Sequence, residues 1–417
     1  MEDYKEANPE TTKTDAEILA SAYKLELTAR SYALMPDGTF VYADVTNIST
    51  SRSARQVANM ADLTGELDKL DSTKQAIGKG YMVGNEYRKE TAEGKLPAVL
   101  DLENPETDVV ANIADLADVG ANYEVLVGAN RVDATVSDTT VTISDCSYSI
   151  EGETWLSVIT ESGDIYSTPI ISATKVIRKA EDLDIFGVGN TVSGNYSDGR
   201  LQDGYYVLGD DIDASEYTHT KGGMGIANNQ NQMAQVSGTY GLTGTFDGRG
   251  YTISGLTLED YGLFGLINGG TVKDVAFENV SLTLNMNYTY GLASVAQNAT
   301  FENVYLQVNN LGSVGKVTAV GFASISDSNF KNCIFECPAE DRDETQSYGS
   351  FTAYAQNFKD VDFENTYVIS PAKIGHASKN GSTQKEIDES ALVGVKRYND
   401  AMAFINDTTN NVYTSFN

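Results

Sequence analysis

Histidine, cysteine, proline and positive charge are all scarce in this chain of 417 residues. The two histidines, His219 and His376, lie far apart, so neither a His-rich metal site nor an HExxH helix exists. Three cysteines (Cys146, Cys333 and Cys337) cannot build a disulfide scaffold. Seven prolines and no Gly-X-Y period exclude collagen and proline-rich stalks. Lys and Arg number 29 against 59 Asp and Glu, a net charge of −30, which opposes binding to nucleic-acid backbones or anionic membranes. No run of about 18 apolar residues is present, so direct membrane insertion by a helix is not expected. The start, Met1-Glu2-Asp3-Tyr4-Lys5, lacks the basic and apolar regions of a signal peptide. Either the protein is cytosolic, or it is exported and its signal is not in this chain. What is abundant favours export to a bacterial surface: 24 Tyr, 37 Gly, and much Thr, Asn and Asp. Hydrophobic residues make up 41%, ample for a core, and the length suggests two or three domains.

Residues 1–105 form a mixed α/β region with no assigned role. Asp15 is a candidate N-cap for a helix entering Ile18-Leu19. Met35-Pro36-Asp37-Gly38 is a turn signal between two short strands. Val57, Met60, Leu63, Leu67 and Leu70 recur at spacings of three and four, the period of an amphipathic helix. Such a helix packs on its own domain or touches a neighbouring copy. Residues 106–175 then carry short β-branched and aromatic runs, at 123–127, 134–136, 140–143 and 155–159. Turn signals separate them, which predicts a small antiparallel sandwich with Trp155 in its core. That segment resembles the immunoglobulin-like spacer domains of bacterial surface proteins.

Residues 176–395 repeat. Val272-Lys-Asp-Val275-Ala-Phe277, Phe301-Glu-Asn-Val304-Tyr-Leu306, Phe330-Lys-Asn-Cys333-Ile-Phe335 and Phe358-Lys-Asp-Val361-Asp-Phe363 share one shape, and Ile253-Ser-Gly-Leu256-Thr-Leu258 precedes them. A second landmark recurs at Gly262-Leu263, Gly291-Leu292, Gly321-Phe322 and Gly349-Ser-Phe351. Self-similarity at this period means a stacked architecture. Apolar residues fall at positions 1, 4 and 6 of each hexad. Positions 4 and 6 alternate as in a strand, but positions 1 and 4 do not. Both can face inward only if the backbone turns a corner between them. The residue before position 4 is Gly255, Asp274, Asn303, Asn332 and Asp360, all types that tolerate positive φ. Each copy is therefore expected to be strand, left-handed corner, strand. Coils about 4.8 Å apart would form a parallel β-helix, with a ladder of corner amides along it.

From Thr243-Gly-Thr-Phe-Asp247-Gly-Arg249-Gly-Tyr-Thr-Ile-Ser-Gly-Leu256, through Tyr261-Gly-Leu-Phe-Gly-Leu266, to Gly270-Thr-Val-Lys-Asp-Val275, the chain resembles the GLUG-type repeat of bacterial surface proteins. Gly204-Tyr-Tyr-Val-Leu-Gly-Asp-Asp-Ile-Asp-Ala214 is similar to the segment that opens such helices. The resemblance spans about 200–370, and Ser294 and Ser324 replace the family's second glycine in later copies. It implies a right-handed β-helix on a cell surface, often beside immunoglobulin-like modules, and brings no catalytic residues. Open ends of a stack need covers. The string Ile177 to Phe186 would cap the first coil. A similar string from Lys396 to Ile405 makes 396–417 a C-terminal cap or the start of a further unit.

For chemistry, a β-helix enzyme would need converging carboxylates. Asp210, Asp211 and Asp213 lie at a turn, and Glu336, Glu340, Asp341, Asp343 and Glu344 read as a solvated loop. Acidic loops also suit Ca²⁺, but no Asp-x-Asp-x-Asp-Gly loop is present, so no cofactor is assigned. Tyr261, Tyr288, Tyr290, Tyr348 and Tyr354 fall near the glycine landmarks, and Tyr305 follows a corner. Outward rings there would stack on sugars, or shield the sheet. The expectation is a non-catalytic, extracellular adhesion or display protein whose partners are glycans or host or cell-surface proteins. Its rivals are a glycoside hydrolase or polysaccharide lyase on the same scaffold, and a subunit of a filament, surface layer or phage particle.

Overall fold

A computed structural model describes residues 31–34, 40–43 and, with short gaps, 96–187, 201–220, 241–283, 288–311, 317–337, 347–349, 351–352, 359–371, 394–399 and 403. The expected helices at 14–19 and 53–70 lie outside these residues. The first hairpin is present, with Ser31–Leu34 antiparallel to Phe40–Ala43 around the Pro-Asp-Gly signal.

Two sheets built from 98–173 enclose one core. Ala98–Asp101, Ile165–Ala173, Gly152–Thr160, Tyr123–Val127 and Asn130–Arg131 make one sheet, and Val109–Asn112, Thr140–Asp145 and Asp133–Ser137 make the other. Alternation puts Val125, Val127, Val141, Ile143, Leu156 and Val158 between them. The first strand, Ala98–Asp101, comes from the stretch grouped with the N-terminal region. It runs parallel to Ile170–Ala173 and so belongs to the sandwich. Trp155 is only half-buried, at odds with a core position.

Most of the rest of the described chain is a large parallel sheet curled as a half-barrel, with Tyr288–Tyr290, Val317–Ala319 and Ser347–Gly349 forming a separate three-stranded parallel sheet. Each segment pairs with the equivalent segment one repeat later: Val272 with Phe301, Phe301 with Phe330, Phe330 with Phe363. The inward side chains of successive hexads, among them Ile253, Leu256, Val272, Val275, Phe301, Val304 and Cys333, share one core. Phe301 and Phe330 stack at 4.5 Å and Phe330 and Phe363 at 5.3 Å, close to the spacing between paired strands.

Corners fall on three lines along the sheet, not one. Asp274, Asn303, Asn332 and Asn365 form the first, with φ of 52°, 55°, 52° and 46°. Gly269, Asn298, Asp327 and Asp360 form the second, with φ of 82°, 50°, 48° and 49°. Gly255 (74°) and Asn279 (53°) lie on a third. Placing Asp360 beside Asn332 is therefore wrong. Asn365 takes that place, and Asp360 follows Asp327. The turn between 330 and 363 is longer (363 − 330 = 33 residues) than the one between 301 and 330 (29). Phe358-Lys-Asp-Val361-Asp-Phe363 fits the apolar 1-4-6 spacing, whereas the true copy, Phe363-Glu-Asn365-Thr366-Tyr-Val368, carries Thr366 at its fourth position, so spacing points to the wrong segment.

At the first end, Lys175–Ile177 pairs with Tyr206–Leu208. The following 3-10 helix, Ala180–Ile185, is fixed by Asp182, whose carboxylate accepts the N–H groups of Arg178 (2.9 Å) and Lys179 (3.2 Å). Leu183 and Phe186 plug the core, with the Phe186 ring edge-on to Tyr206, Phe246 and Phe264. At the other end Val395–Tyr398 is one more parallel strand, paired with Thr366–Ile369.

Candidate functional site

Among the described residues, a dense polar cluster lies where the sandwich meets the first coils. Thr245–Asp247 ends in the turn Gly248-Arg249-Gly250, where Arg249 and Gly250 both have positive φ (55° and 81°). Asp247 closes that turn by accepting the Arg249 N–H on Oδ1 at 2.8 Å. The turn aims the Arg249 guanidinium into the junction, where Nη2 donates to the Pro97 carbonyl (2.7 Å) and Nη1 to that of Leu208 (3.2 Å). Burial disfavours its charge and outweighs the nearby Tyr251, Asp247 and Tyr205.

Lys273 lies directly across from Asp247 in the next strand. Its Nζ is 3.4 Å from Asp247 Oδ2 and donates to Glu153 Oε1 of the sandwich. The Tyr205 hydroxyl lies 2.8 Å from Asp247 Oδ2 and 3.1 Å from Glu153 Oε1. Burial is the largest influence on Lys273 and opposes its charge, but Asp247, Tyr205 and Glu153 together hold it protonated. Burial and then Asp247 push the Tyr205 hydroxyl upward, so it stays a donor. Around this cluster Arg178 pairs with Asp101 (2.6 Å) and Lys175 with Glu103 (2.5 Å). Ile171 and Ala173 of the sandwich pack on Val176 and Val207.

Three ladders run up the sheet from here. In the first corner line the Asn303 amide donates to Asp274 (2.7 Å), Asn332 to Asn303 (3.0 Å) and Asn365 to Asn332 (3.3 Å). On the outer face Asp247, Lys273, Glu302, Lys331 and Glu364 are successive neighbours, alternating in charge. Ala276, Tyr305, Ile334 and Tyr367 form a third column, separate from the inner core yet buried.

The expected sugar-facing rings fare differently. Tyr290 is fully buried, and Tyr305 is buried with its hydroxyl donating to Glu336 (2.6 Å), so neither offers an open face. Tyr290 fails as an outward residue because it sits one position before the Gly291-Leu292 landmark, where the chain enters the core. Tyr288 and Tyr348 lie on short strands outside the main sheet, and Tyr261 and Tyr354 fall outside the described residues. Asp210, Asp211 and Asp213 do not converge on one point. Asp210 and Asp213 bond locally, accepting the N–H groups of Asp211 and Ser215, whereas Asp211 reaches the next repeat and accepts the Thr252 N–H. Residues 340–344 lie outside the described set. Among the described residues no group of three or more His, Cys, Asp and Glu is placed to hold a metal ion, and no described helix is long and apolar enough to cross a membrane. Cys333 and Cys337 are buried and form no disulfide.

Sequence reasoning missed the junction cluster. Asp247 and Arg249 stand in the quoted motif and Lys273 in the first hexad, but nothing in spacing announces Glu153, which is distant in sequence. No protein-family model and no characterised protein matches the chain.

Proposed function

We propose that this chain is a non-catalytic, exported bacterial surface protein. In this reading a right-handed parallel β-helix and an immunoglobulin-like sandwich form one stiff rod for adhesion or structural display. The observation that supports it is the junction. A hinge would leave solvent and few contacts between two domains. Here a buried Arg249 reaches across to Pro97, Lys273 bonds to Glu153, and an apolar patch continues from one domain into the other. The three ladders then extend that rigidity along the sheet. The resemblance to GLUG-type repeats supplies the bacterial surface, the handedness and the immunoglobulin-like neighbour. Glycans or host or cell-surface proteins are the partners that such a rod would meet.

Small-angle scattering on the full chain tests the stiffness. One elongated particle, unchanged between low and moderate salt, is expected, and a broad distribution of shapes would refute it. Arrays of glycans and surface proteins test the adhesive role, and a panel of polysaccharides tests the absence of catalysis. Turnover of any polysaccharide would replace this reading with the enzyme. Concentration-dependent polymers would replace it with an assembly subunit.

A further inference from the structure

The half-barrel grips one strand of the sandwich at three points. Ala98–Asp101, four residues long, is the first strand of the sandwich and lies at the edge of its sheet. Just before it, the Pro97 carbonyl accepts from Arg249 Nη2 (2.7 Å). At its end, Oδ2 of the buried Asp101 accepts from Arg178 Nη1 (2.6 Å). Glu103, two residues on, pairs with Lys175 (2.5 Å). Val99, between these points, packs on the patch of Ile171, Ala173, Val176 and Val207. Lys273 reaches Glu153, in the strand on the other side of Ile165–Ala173. The half-barrel therefore holds both neighbours of the strand that runs on into it.

Ala98–Asp101 pairs with Ile170–Ala173 in parallel, whereas the remaining pairs of that sheet are antiparallel. A parallel pair of four residues is weak by itself. Its direction, however, fixes how it meets a pull. The chain enters Ala98–Asp101 at Pro97. It leaves Ile165–Ala173 at Ala173, and Lys175–Ile177 of the half-barrel follows at once. Tension between the chain before Pro97 and the half-barrel draws one strand backward and the other forward. The strands must then slide past each other, so the ladder bonds and the three cation contacts fail together. Strands pulled apart from a shared end would lose one bond at a time.

We propose that this edge is a tension-bearing clamp, which passes a pull on the chain before Pro97 into the half-barrel and spares the sandwich core. It deepens the reading of the chain as a surface rod, since a tethered rod is the molecule that meets tension. Docking at rest needs no particular strand direction and no three contacts on one edge strand. Resistance to a pull needs both. Forced unfolding is governed by the unfolding rate, so the quantity that the clamp changes is the lifetime of the fold under load.

Single-molecule pulling of the full chain at constant force tests this in two geometries. Tethers at the two termini load the clamp in shear. Moving the C-terminal tether to a cysteine placed at the exposed Glu161, before Ile165–Ala173, loads both strands at the same end. The native Cys146, Cys333 and Cys337 are buried and do not compete for that tether. In the first geometry, failure of the clamp is recognised by release of 98–173, roughly 250 Å of extended chain. At equal force the first geometry should outlive the second. Arg178→Ala should shorten the first lifetime about tenfold, with Arg178→Lys recovering part of it, and should change the second little. Lys175→Ala removes a half-exposed pair, keeps the test open if Arg178→Ala does not fold, and should shorten the first lifetime about two- to fivefold. Equal lifetimes in the two geometries would overturn the clamp. So would Arg178→Ala and Lys175→Ala chains that last as long as wild type. A chain that binds nothing on the arrays would withdraw the adhesive reading and leave these lifetimes as they are.

Discussion

Replacing Asn303 separates the two reasons for an amide at a corner. Asn303 has φ 55°, donates to the buried Asp274 at 2.7 Å and accepts from Asn332 at 3.0 Å. Asn303→Gly keeps the left-handed backbone and deletes both contacts. A hydrogen bond to a charged group contributes about 1.5–3 kcal/mol and a neutral one about 1, so a loss of about 2.5–4 kcal/mol is expected. Asn303→Ala loses the same contacts and adds a Cβ in the left-handed region, at a cost of about 1–2 kcal/mol. Glycine's extra freedom in the unfolded chain offsets about 0.5–1 kcal/mol of that difference. Alanine should therefore be about 1 kcal/mol worse than glycine. Asn303→Asp sets a second carboxyl against Asp274. Like charges raise the folded-state pKa, so its stability should match wild type most closely in acid and fall as pH rises through the raised value. Hydrogen exchange over 271–283 and 300–310 is the assay, because the only Trp, Trp155, sits in the sandwich and reports on the wrong domain. A glycine variant as protected as wild type would show that the ladder contributes nothing. An alanine variant equal to the glycine one would refute the backbone argument.

Three further outcomes are expected. Gly291→Ala would put a Cβ 1.8 Å from the Val320 carbonyl of the next coil, so a loss of about 3 kcal/mol is expected in a urea melt. Gly269→Asn, where an added Cβ meets nothing within 4 Å and the next corner on the same line is already Asn298, should be tolerated. Burial pushes the Cys333 thiol from 9.0 up to about 12, so it should resist alkylation until the chain unfolds. The unfolded thiol ionises first, so that contribution to stability is whole below about pH 9 and is lost as pH rises toward 12, which alkaline melts should show. Glu302→Lys lines up three lysines on the outer face and should cost under about 1 kcal/mol, less at high salt.

The parallel stack was legible because its constraints are local and repeated. A corner that turns two inward positions toward one core accepts few residue types, and Asn303 and Asn332 declare it in each copy. The sandwich strands were legible from their alternation, as at Thr140–Asp145. Two things were not. The longer turn before Phe363 hid behind a decoy that fits the apolar spacing better than the true copy, which carries Thr366 at its fourth position, since periodicity counts residues and cannot see hydrogen bonds. The junction cluster joins residues 97, 153, 205, 247 and 273, and no local pattern encodes a meeting of that span. Tyr290 was misread for a related reason, because whether a ring faces in or out at a landmark depends on where the next coil enters.

Similar inner residues create a hazard that the outer face counters. Val272, Phe301, Phe330 and Phe363 occupy one inward column, so any coil could stack on any other with little loss of packing. The amide line is equally permissive, since each asparagine both donates and accepts. A stack that looped out one coil would keep its core and its ladder. It would not keep its charges: omitting the coil of Glu302 brings Lys273 against Lys331, and omitting that of Lys331 brings Glu302 against Glu364. Each such contact replaces an attraction of a few tenths of a kcal/mol with a repulsion of about that size. Alternation therefore penalises every single-coil error while contributing little to the correct fold. That explains why half-exposed pairs such as Lys331 and Glu364, 3.9 Å apart, occur in a sheet whose stability comes from its aromatic interior.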